Sequence, residues 1–256
     1  MDVSIITPAY SEEENVRKLV SEIVVAFEED DATREFEIVL VVNDEDPSDT
    51  PAIADALADE LPAVTPVHRQ GNGGFGNAIK TGLAAAEGDI LVPIMSDFSD
   101  DPRHALRLVE AVESGNDIAY GSRFAPGGSV EGYPPLKLVL NRLTNNTAKV
   151  AFGIDSEDVT NIFTAYRAEV IDDVGVENLE SESFDITIEL PIRAHMNART
   201  YTEVPVSFRG RDEGESSFRI LREGPLFAER FARLFWQYRV PSNGRIEPAN
   251  RSKNRT

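Results

Sequence analysis

The amino-acid sequence predicts an α/β domain in which helices flank a mainly parallel central sheet. Over the first half of the chain, short apolar runs typical of strands alternate with stretches whose apolar residues recur at helical spacing. The strand-like runs, such as FEIVLVV at residues 36–42, are apolar throughout, as in parallel strands covered on both faces. A length of 256 residues, 41% of them hydrophobic, is enough for one large domain.

Five strands and four helices are predicted in order along this first half. The strands are predicted at residues 3–9, 36–42, 65–68, 89–94 and 117–120. The helices are predicted at residues 12–27, 50–61, 77–86 and 102–114. Ser11 precedes the first helix and Glu14 follows three positions later, a spacing typical of a capping box.

The pattern is looser after Gly127. Helices are predicted at residues 136–152 and 184–194, and strands at residues 161–166 and 200–208. Residues 218–239 carry several arginines and predict a basic amphipathic helix, whose apolar face holds Phe227, Phe231, Leu234 and Tyr238. Residues 240–256 lack apolar periodicity and predict a disordered tail, which leaves residues 1–217 as the main domain.

The composition is strongly acidic, with 45 Asp and Glu against 25 Lys and Arg and a net charge of −20. Such a surface repels phosphate backbones, so free nucleic acid is excluded as a partner. Scarce lysine and absent cysteine favour a chain adapted to molar salt, where the Debye length falls to about 3 Å; an ordinary acidic protein is the alternative. No apolar run reaches the length of a membrane span and no signal peptide precedes the first strand, so we expect neither a transmembrane helix nor a cleaved leader.

Polar clusters follow four of the predicted strands. They lie at residues 10–14, 43–49, 96–101 and 121–123. Because ligands bind beyond the carboxyl ends of the strands in open parallel sheets, we expect these clusters to share one rim.

The acidic turn MSDFSDDP, residues 95–102, is the most informative of these clusters. The carboxylates of Asp97, Asp100 and Asp101 and the hydroxyl of Ser99 are hard oxygen ligands, which suit Mg²⁺ or Mn²⁺ bridging a diphosphate. The alternative is a solvated turn in which Asp101 caps a helix that begins at Pro102.

Three glycines, Gly71, Gly73 and Gly76, form a G-x-G-x-x-G pattern before the third helix. The pattern is typical of dinucleotide-binding loops, but there it normally follows the first strand. Nicotinamide or flavin binding is therefore the less favoured interpretation. A tight turn that lets the backbone approach some other nucleotide is the simpler one.

A set of ordered stretches resembles the family 2 glycosyltransferases of the GT-A fold, and within them the dolichyl-phosphate mannose and glucose synthases. The stretches include ITPAYSEEENV, GNGGFGNAIKTGL, ILVPIMSD, IAYGSRFAPGG, VTNIFTAYR and EVPVSFRGRDEGESS. The resemblance covers residues 1–218, and the acidic composition adds the expectation of a haloarchaeal member.

The resemblance implies a role for each matching residue. Residues expected to bind the nucleotide sugar are Pro8, Tyr10, Glu12, Asp44, Arg69, Gly73, Ser96 and Asp97, with Asp44 at the base. Asp97, helped by Ser99 or Asp100, is expected to hold Mg²⁺ or Mn²⁺ on the diphosphate. The expected ligands of a lipid phosphate are Arg123, Arg142 and Arg211, and Asp158 and Glu189 are expected to border the sugar and the acceptor.

The chain also departs from the family's pattern at three places. Met95 stands where the metal motif usually has its first aspartate, so Asp100 or Ser99 is expected to compensate, or metal affinity to be lower. Ser217 stands where the last motif usually has lysine, which removes one cation. The step at residues 161–163, Asn-Ile-Phe, replaces a small residue, glycine and an aromatic residue.

The resemblance therefore implies an inverting, metal-dependent transfer of a hexose from a UDP- or GDP-sugar to dolichyl or polyprenyl phosphate. We expect it at the inner face of the cell membrane, with residues 218–239 either in the membrane interface or packed on the domain or a second subunit. The alternatives are transfer to a saccharide or another lipid-linked acceptor, with Asp158 or Glu189 as the base for a saccharide hydroxyl, and a non-catalytic sugar-nucleotide-binding protein.

Overall fold

A seven-stranded sheet forms the centre of the computed structural model, which describes residues 1–71, 73–210 and 220–240. The nine strands are β1 (Val3–Pro8), β2 (Phe36–Asn43), β3 (Val64–Arg69), β4 (Ile90–Pro93), β5 (Ile118–Ser122), β6 (Ser129–Glu131), β7 (Thr164–Arg167), β8 (Tyr201–Pro205) and β9 (Ser207–Arg209). The order in the large sheet is β3-β2-β1-β4-β7-β5-β8, and β7 alone runs antiparallel to its neighbours. The predicted mainly parallel α/β fold is thus confirmed.

Eight α-helices are described in the same chain. They are α1 (Glu13–Glu28), α2 (Thr50–Glu60), α3 (Phe75–Ala85), α4 (His104–Glu113), α5 (Pro135–Phe152), α6 (Ala168–Val174), α7 (Ile186–Asn197) and α8 (Ile220–Arg239). Helices α1, α2 and α4 contribute to the core on one face of the sheet. Helices α3, α5, α6, α7 and α8 contribute to the core on the other face. Strand β2 supplies both cores, because successive side chains point to opposite faces.

Two details at helix starts differ from the prediction. Ser11 does not cap α1: its backbone has a φ of 54°, and its amide and hydroxyl both donate to the carboxylate of Asp46 instead. Helix α4 begins at His104 and not at Pro102, and Asp101 accepts from the amide of Arg103 in the turn that precedes the helix. In both places an aspartate binds backbone amides just before a helix.

The second half contains elements that the sequence pattern did not predict. Helix α6 follows β7 directly, and the predicted strand at residues 200–208 is two strands. The second of these, β9, pairs with β6 in a small separate sheet. Of the predicted tail at residues 240–256, residues 241–256 lie outside the described residues.

Helix α8 packs on the domain through the apolar face that the sequence identified. Leu234 is 1% exposed, and Phe227, Phe231 and Tyr238 pack against the second core. Arg230 adds ion pairs to Glu180 at 2.6 Å and to Asp185 at 3.1 Å. The apolar face of α8 therefore packs on the domain, and its contact with a membrane stays a prediction.

The segment that receives Arg230 also supports α3. The amide of Asn77 donates to the carbonyl oxygen of Glu182 at 3.3 Å. A Cβ atom at Gly74 would collide with that same carbonyl oxygen, and one at Gly76 would lie 2.7 Å from the carbonyl oxygen of Ser183. Glycine is required here because the backbone of residues 181–183 lies directly against the start of α3.

Candidate active site

The predicted rim exists at the carboxyl ends of the parallel strands. The hydroxyl of Ser96, beyond β4, donates to the carbonyl oxygen of Pro8 at the end of β1, at 2.9 Å. The amide of Ala9 donates to the carbonyl oxygen of Val41 in β2, also at 2.9 Å. These bonds hold the turns after three neighbouring strands together.

The turn after β1 is anchored to the turn after β2. The amide of Ser11 donates to Asp46 at 2.7 Å, and the amide of Glu12 donates to the hydroxyl of Thr50 at 3.0 Å. Burial would raise the pKa of Asp46, but the amides of Ser11 and Ser48 donate to its carboxylate and lower it overall. Tyr10 remains 57% exposed at the mouth of the rim.

Asp44 and Arg69 lie side by side at the ends of β2 and β3. The amide of Asp44 donates to the carbonyl oxygen of Arg69 at 2.9 Å. The ring of His68 joins the carboxylates of Asp44, at 2.7 Å, and Asp55, at 2.8 Å. Hydrogen bonds to Asp55 and Asp44 raise the pKa of His68, while burial lowers the pKa of Arg69.

The acidic turn places two carboxylates at a cavity. Asp97 is 9% exposed and accepts from the amide of Ser99 at 3.0 Å. Phe98 adopts a φ of 57°, a left-handed conformation that is strained for an aromatic residue. Asp100 is 2% exposed, and burial raises its pKa to about 7 although Arg123 opposes this. Asp101 instead forms an ion pair with the exposed Arg103 at 2.6 Å.

Arg123 and Asp158 form a buried pair behind this turn. The Nε atom of Arg123 lies 2.6 Å from Oδ2 of Asp158, and Nη2 lies 2.9 Å from Oδ1. Burial alone would lower the pKa of Arg123, but Asp158 raises it above its usual value. The rings of Tyr133 and Phe208 lie within 5.7 Å of the guanidinium carbon. Asp158 also accepts from Asn145, so its carboxylate is fully engaged.

Besides Asp158, two of the residues expected at the acceptor are engaged by other partners, and a third is not described. Glu189 is fully buried and accepts from the amides of Glu180 and Ser181 and from Nε of Arg193. Arg142 donates to Glu157 and does not line the cavity. Arg211 lies outside the described residues.

A cavity of about 1010 Å³ extends from the acidic turn to the space between α5 and α8. Its polar end includes Asp97, Asp100, Arg123 and Lys137. Its apolar walls are formed by α5 and α8 and include Leu140, Leu143, Phe227, Phe231, Phe235 and Trp236.

The comparisons with known proteins assign the chain to a family. The profile of Glycosyl transferase family 2 matches residues 4–175. The chain belongs to this family. It is 34% identical to a polyprenol monophosphomannose synthase of Mycolicibacterium smegmatis over 216 residues, which are 83% of this chain and 79% of that protein. It is also 34% identical to a dolichol-phosphate mannosyltransferase of Pyrococcus furiosus over 221 residues, 86% of this chain and 60% of that protein.

A solved structure shares the fold of this glycosyltransferase. It is a glucosyl-3-phosphoglycerate synthase from Mycobacterium tuberculosis, in complex with Mn²⁺, uridine diphosphate and glucosyl-3-phosphoglycerate. The TM-score is 0.66 at 18% identity, with 95% of this chain and 82% of that chain covered. The GT-A fold that the resemblance implied is therefore confirmed.

The residues at the acidic turn of this glycosyltransferase fit a divalent cation. Asp97, Asp100 and Ser99 offer oxygen atoms at one end of the cavity. Within the described ranges, no group of three or more His, Asp or Glu side chains is placed to hold a metal ion. Two carboxylates completed by substrate phosphates are the usual arrangement for Mg²⁺, so a bound diphosphate would complete the shell.

Sequence reasoning missed the contribution of α5 to the cavity. Lys137 and Asn141 lie one helical turn apart on it, and both line the cavity. The sequence signal for this contribution was the number of large apolar residues on α5, because more of them are present than the helix buries against the core. Five of them are exposed to solvent: Leu136, Val139, Leu140, Leu143 and Val150.

Proposed function

We propose that this glycosyltransferase transfers a hexose from a UDP- or GDP-sugar to the phosphate of dolichol or another polyprenol, with inversion at the anomeric carbon. One observation carries the proposal: a single cavity joins the acidic turn to a long apolar channel between α5 and α8. A lipid monophosphate has the same two parts, an anionic head and an apolar chain. The names of the two relatives, which act on polyprenol and dolichol phosphate, support the same acceptor class.

The donor binds, in this proposal, across the rim at the ends of the strands β1 to β4. The proposed nucleotide ligands are Pro8, Tyr10, Glu12, Asp44, Arg69, Gly73 and Ser96. Asp44 presents a carboxylate that can accept from N–H groups of either uracil or guanine. Both relatives are named for mannose, which favours that hexose, whereas their names leave the base open. Either choice depends on a few pocket contacts.

Asp97 holds the proposed Mg²⁺ or Mn²⁺, with Ser99 and Asp100 beside it. When bound, the ion supplies Lewis-acid chemistry by offsetting the charge of the departing nucleoside diphosphate. The chain's own contribution is to fix the diphosphate at the polar end of the cavity. The structurally similar synthase contains Mn²⁺ and uridine diphosphate, which supports this use of metal in the fold.

The acceptor phosphate binds near Arg123 and Lys137, the two cations of the polar end. Asp158 takes two side-chain hydrogen bonds from Arg123, and a guanidinium has five donor hydrogens, so donors remain for phosphate. Arg211 is a further proposed ligand of the phosphate. Lys137 is proposed in place of Arg142, because Arg142 forms an ion pair with Glu157.

The reaction needs orientation more than a base in this proposal. A phosphate monoester has its second pKa near about 6, so its oxygen is already anionic at neutral pH. That oxygen attacks the anomeric carbon in line with the leaving diphosphate, the glycosidic bond to the diphosphate breaks, and the configuration inverts. Asp158 and Glu189 are both engaged in buried hydrogen bonds, which favours a lipid phosphate over a saccharide hydroxyl that would need a free carboxylate.

The exposed apolar side chains of α5 and α8 provide the proposed membrane contact. Leu136, Val139, Leu143 and Val150 on α5 are more than half exposed, and Trp236 on α8 is 66% exposed. Among the described helices, none has the length and apolar character that crossing a bilayer requires. We therefore place these helices in the interface at the inner face of the membrane, where the apolar channel opens toward the lipid.

A donor and acceptor screen tests this function. Radiolabelled UDP- and GDP-hexoses are incubated with the chain in high salt, Mg²⁺ or Mn²⁺ and dolichyl phosphate, and the lipid fraction is counted. We expect label in the lipid with one donor, and inverted configuration of the product. Label that reaches an added saccharide and never the lipid would favour the saccharide alternative, and no transfer from any donor would favour a non-catalytic binder.

A further inference from the structure

Two positions of the acidic turn, Met95 and Asp100, differ from what a metal site of this kind is expected to have. Met95, where the resembled family usually has an aspartate, lies at the cavity, and a thioether is a poor ligand for hard cations. Asp100, five residues later, reaches the same cavity with a carboxylate. The cavity thus receives two carboxylates from this turn, those of Asp97 and Asp100.

The carboxyl group of Asp100 is buried in surroundings that do not compensate for the loss of water. Its side chain is 2% exposed, and its Oδ1 atom is buried with no hydrogen-bond partner. Among residues 1–71, 73–210 and 220–240, no basic side chain forms an ion pair with it. The cation of Arg123 is engaged by Asp158 through two nitrogens. Burying a polar oxygen without a partner costs free energy, so such a group in a native protein requires an explanation.

The backbone fixes Asp100 in this position. Asp100 forms an antiparallel bridge with Phe208, and the amide of Arg209 donates to the carbonyl oxygen of Ser99 at 2.8 Å. The preceding Phe98 holds a left-handed backbone conformation. The turn cannot easily rotate to bring the carboxylate to water, and strain of this kind is typical of functional sites.

We infer that Asp100 is the second carboxylate ligand of the divalent cation and replaces the acid that is missing at position 95. The inference rests on the proposed function only in taking Asp97 as the first ligand. A cation held by Asp97 and Asp100 would give the unpartnered Oδ1 atom a partner, and the Ser99 hydroxyl would offer a further oxygen ligand. Asp101 takes no part, because Arg103 occupies its carboxylate.

Direct measurement of Mn²⁺ binding tests the inference without turnover. Free Mn²⁺ is followed by electron paramagnetic resonance, with the chain alone and with UDP or GDP, for the wild type and for Asp100→Asn. We expect Asp100→Asn to weaken Mn²⁺ binding more than about tenfold. Asp101→Asn is the matched control and should bind Mn²⁺ as the wild type does.

Moving the carboxylate from position 100 to position 95 shows whether Asp100 is a metal ligand or matters only for folding. The double variant Met95→Asp/Asp100→Asn should recover most of the Mn²⁺ affinity, because it restores the acid at the family's usual position. Thermal melts provide a second readout: Mn²⁺ should raise the melting temperature of the wild type and not of Asp100→Asn. Without metal, Asp100→Asn should melt no lower than the wild type, since a buried unpaired carboxyl is replaced by a neutral isostere.

The inference and the proposed function can fail separately. If Asp100→Asn binds Mn²⁺ with wild-type affinity while the wild type labels dolichyl phosphate, the inference is wrong and the function stands. If Mn²⁺ binding depends on Asp100 but no lipid is labelled, the metal ligand is supported and the acceptor assignment falls.

Discussion

The imidazole of His68 is hydrogen-bonded to the carboxylate of Asp44, with 2.7 Å between Nδ1 and Oδ1. The other ring nitrogen lies 2.8 Å from Asp55, so one histidine joins the end of β2 to α2. Asp44 is the proposed contact of the nucleobase. The protonation of His68 therefore bears on how rigidly that carboxylate is held.

His68 is expected to titrate above its ordinary pKa of 6.5, since both neighbouring carboxylates raise it. Its interaction with Asp44 and Asp55 then stabilises the fold fully below the unfolded pKa, and this contribution is lost as the pH rises through the folded pKa. His104 and His195 should titrate below 6.5 because burial lowers both pKa values. NMR titration of the three rings measures this, and Asp55→Asn should lower the pKa of His68 alone. A value for His68 at or below that of His104 would contradict the prediction.

Asp97→Asn is expected to reduce lipid-linked transfer more than about 100-fold, because the proposed cation loses its main ligand. The measurement is initial-rate transfer at saturating donor, with Asp101→Asn as the control of matched chemistry in the same turn. If Asp97→Asn transfers the hexose at a rate within a few-fold of the wild type, the proposal that Asp97 binds the metal ion is wrong.

The pair of Arg123 and Asp158 is expected to dominate local stability. Asp158→Asn leaves a guanidinium buried without its anion and should lower the free energy of unfolding by about 3–5 kcal/mol. The exposed pair of Arg17 and Glu60, 3.3 Å apart, supplies the control, and Glu60→Gln should cost less than about 1 kcal/mol. Denaturant unfolding in high salt compares the two variants, and equal losses would argue against the buried pair.

The apolar surface of α5 is expected to bind lipid bilayers. Changing Leu136, Val139 and Leu143 to serine should reduce flotation with liposomes more than about tenfold, since each large apolar side chain contributes about 1.5–3 kcal/mol when buried. Val25 on α1 is also exposed, at 47%, but lies away from the cavity, so Val25→Ser is the matched control. Equal flotation of the triple variant and the control would place the membrane contact elsewhere.

Stability is expected to rise with salt, because a net charge of −20 repels itself until counterions screen it. Melting temperatures are compared from 0.1 to about 3 M KCl, with sorbitol at equal osmolality as the control for exclusion effects. A chain that is as stable at 0.1 M as at the highest concentration would be an ordinary acidic protein.

The first half of the fold could be predicted from sequence because its signals are local. Each strand in that half lies within about two residues of its predicted position, since continuous apolar runs and polar turns alternate without interruption. A strand at residues 161–166 was predicted, but the antiparallel direction of β7 and its place between β4 and β5 could not be, because both depend on pairing with strands far away in sequence. The sequence separation between β6 and β9 hides the small sheet for the same reason.

The site residues divide in a similar way. Asp97, Asp100 and Arg123 meet at one cavity because the turn after β4 and the residue after β5 lie at the same edge of the sheet. Glu189 was expected near the acceptor, but its partners are the amides at residues 180 and 181, which no spacing reveals. Lys137 was missed because the apolar residues around it suggested an ordinary core helix, whereas they line a channel or face solvent.

The contacts of residues 180–185 connect α8 with the start of α3. This short segment receives Arg230 from α8 on one side and lies against Gly74 at the start of α3 on the other. A displacement of α8 is therefore expected to loosen the start of α3 as well. Proposed donor binding and proposed acceptor binding would then weaken together, because one short segment supports both helices.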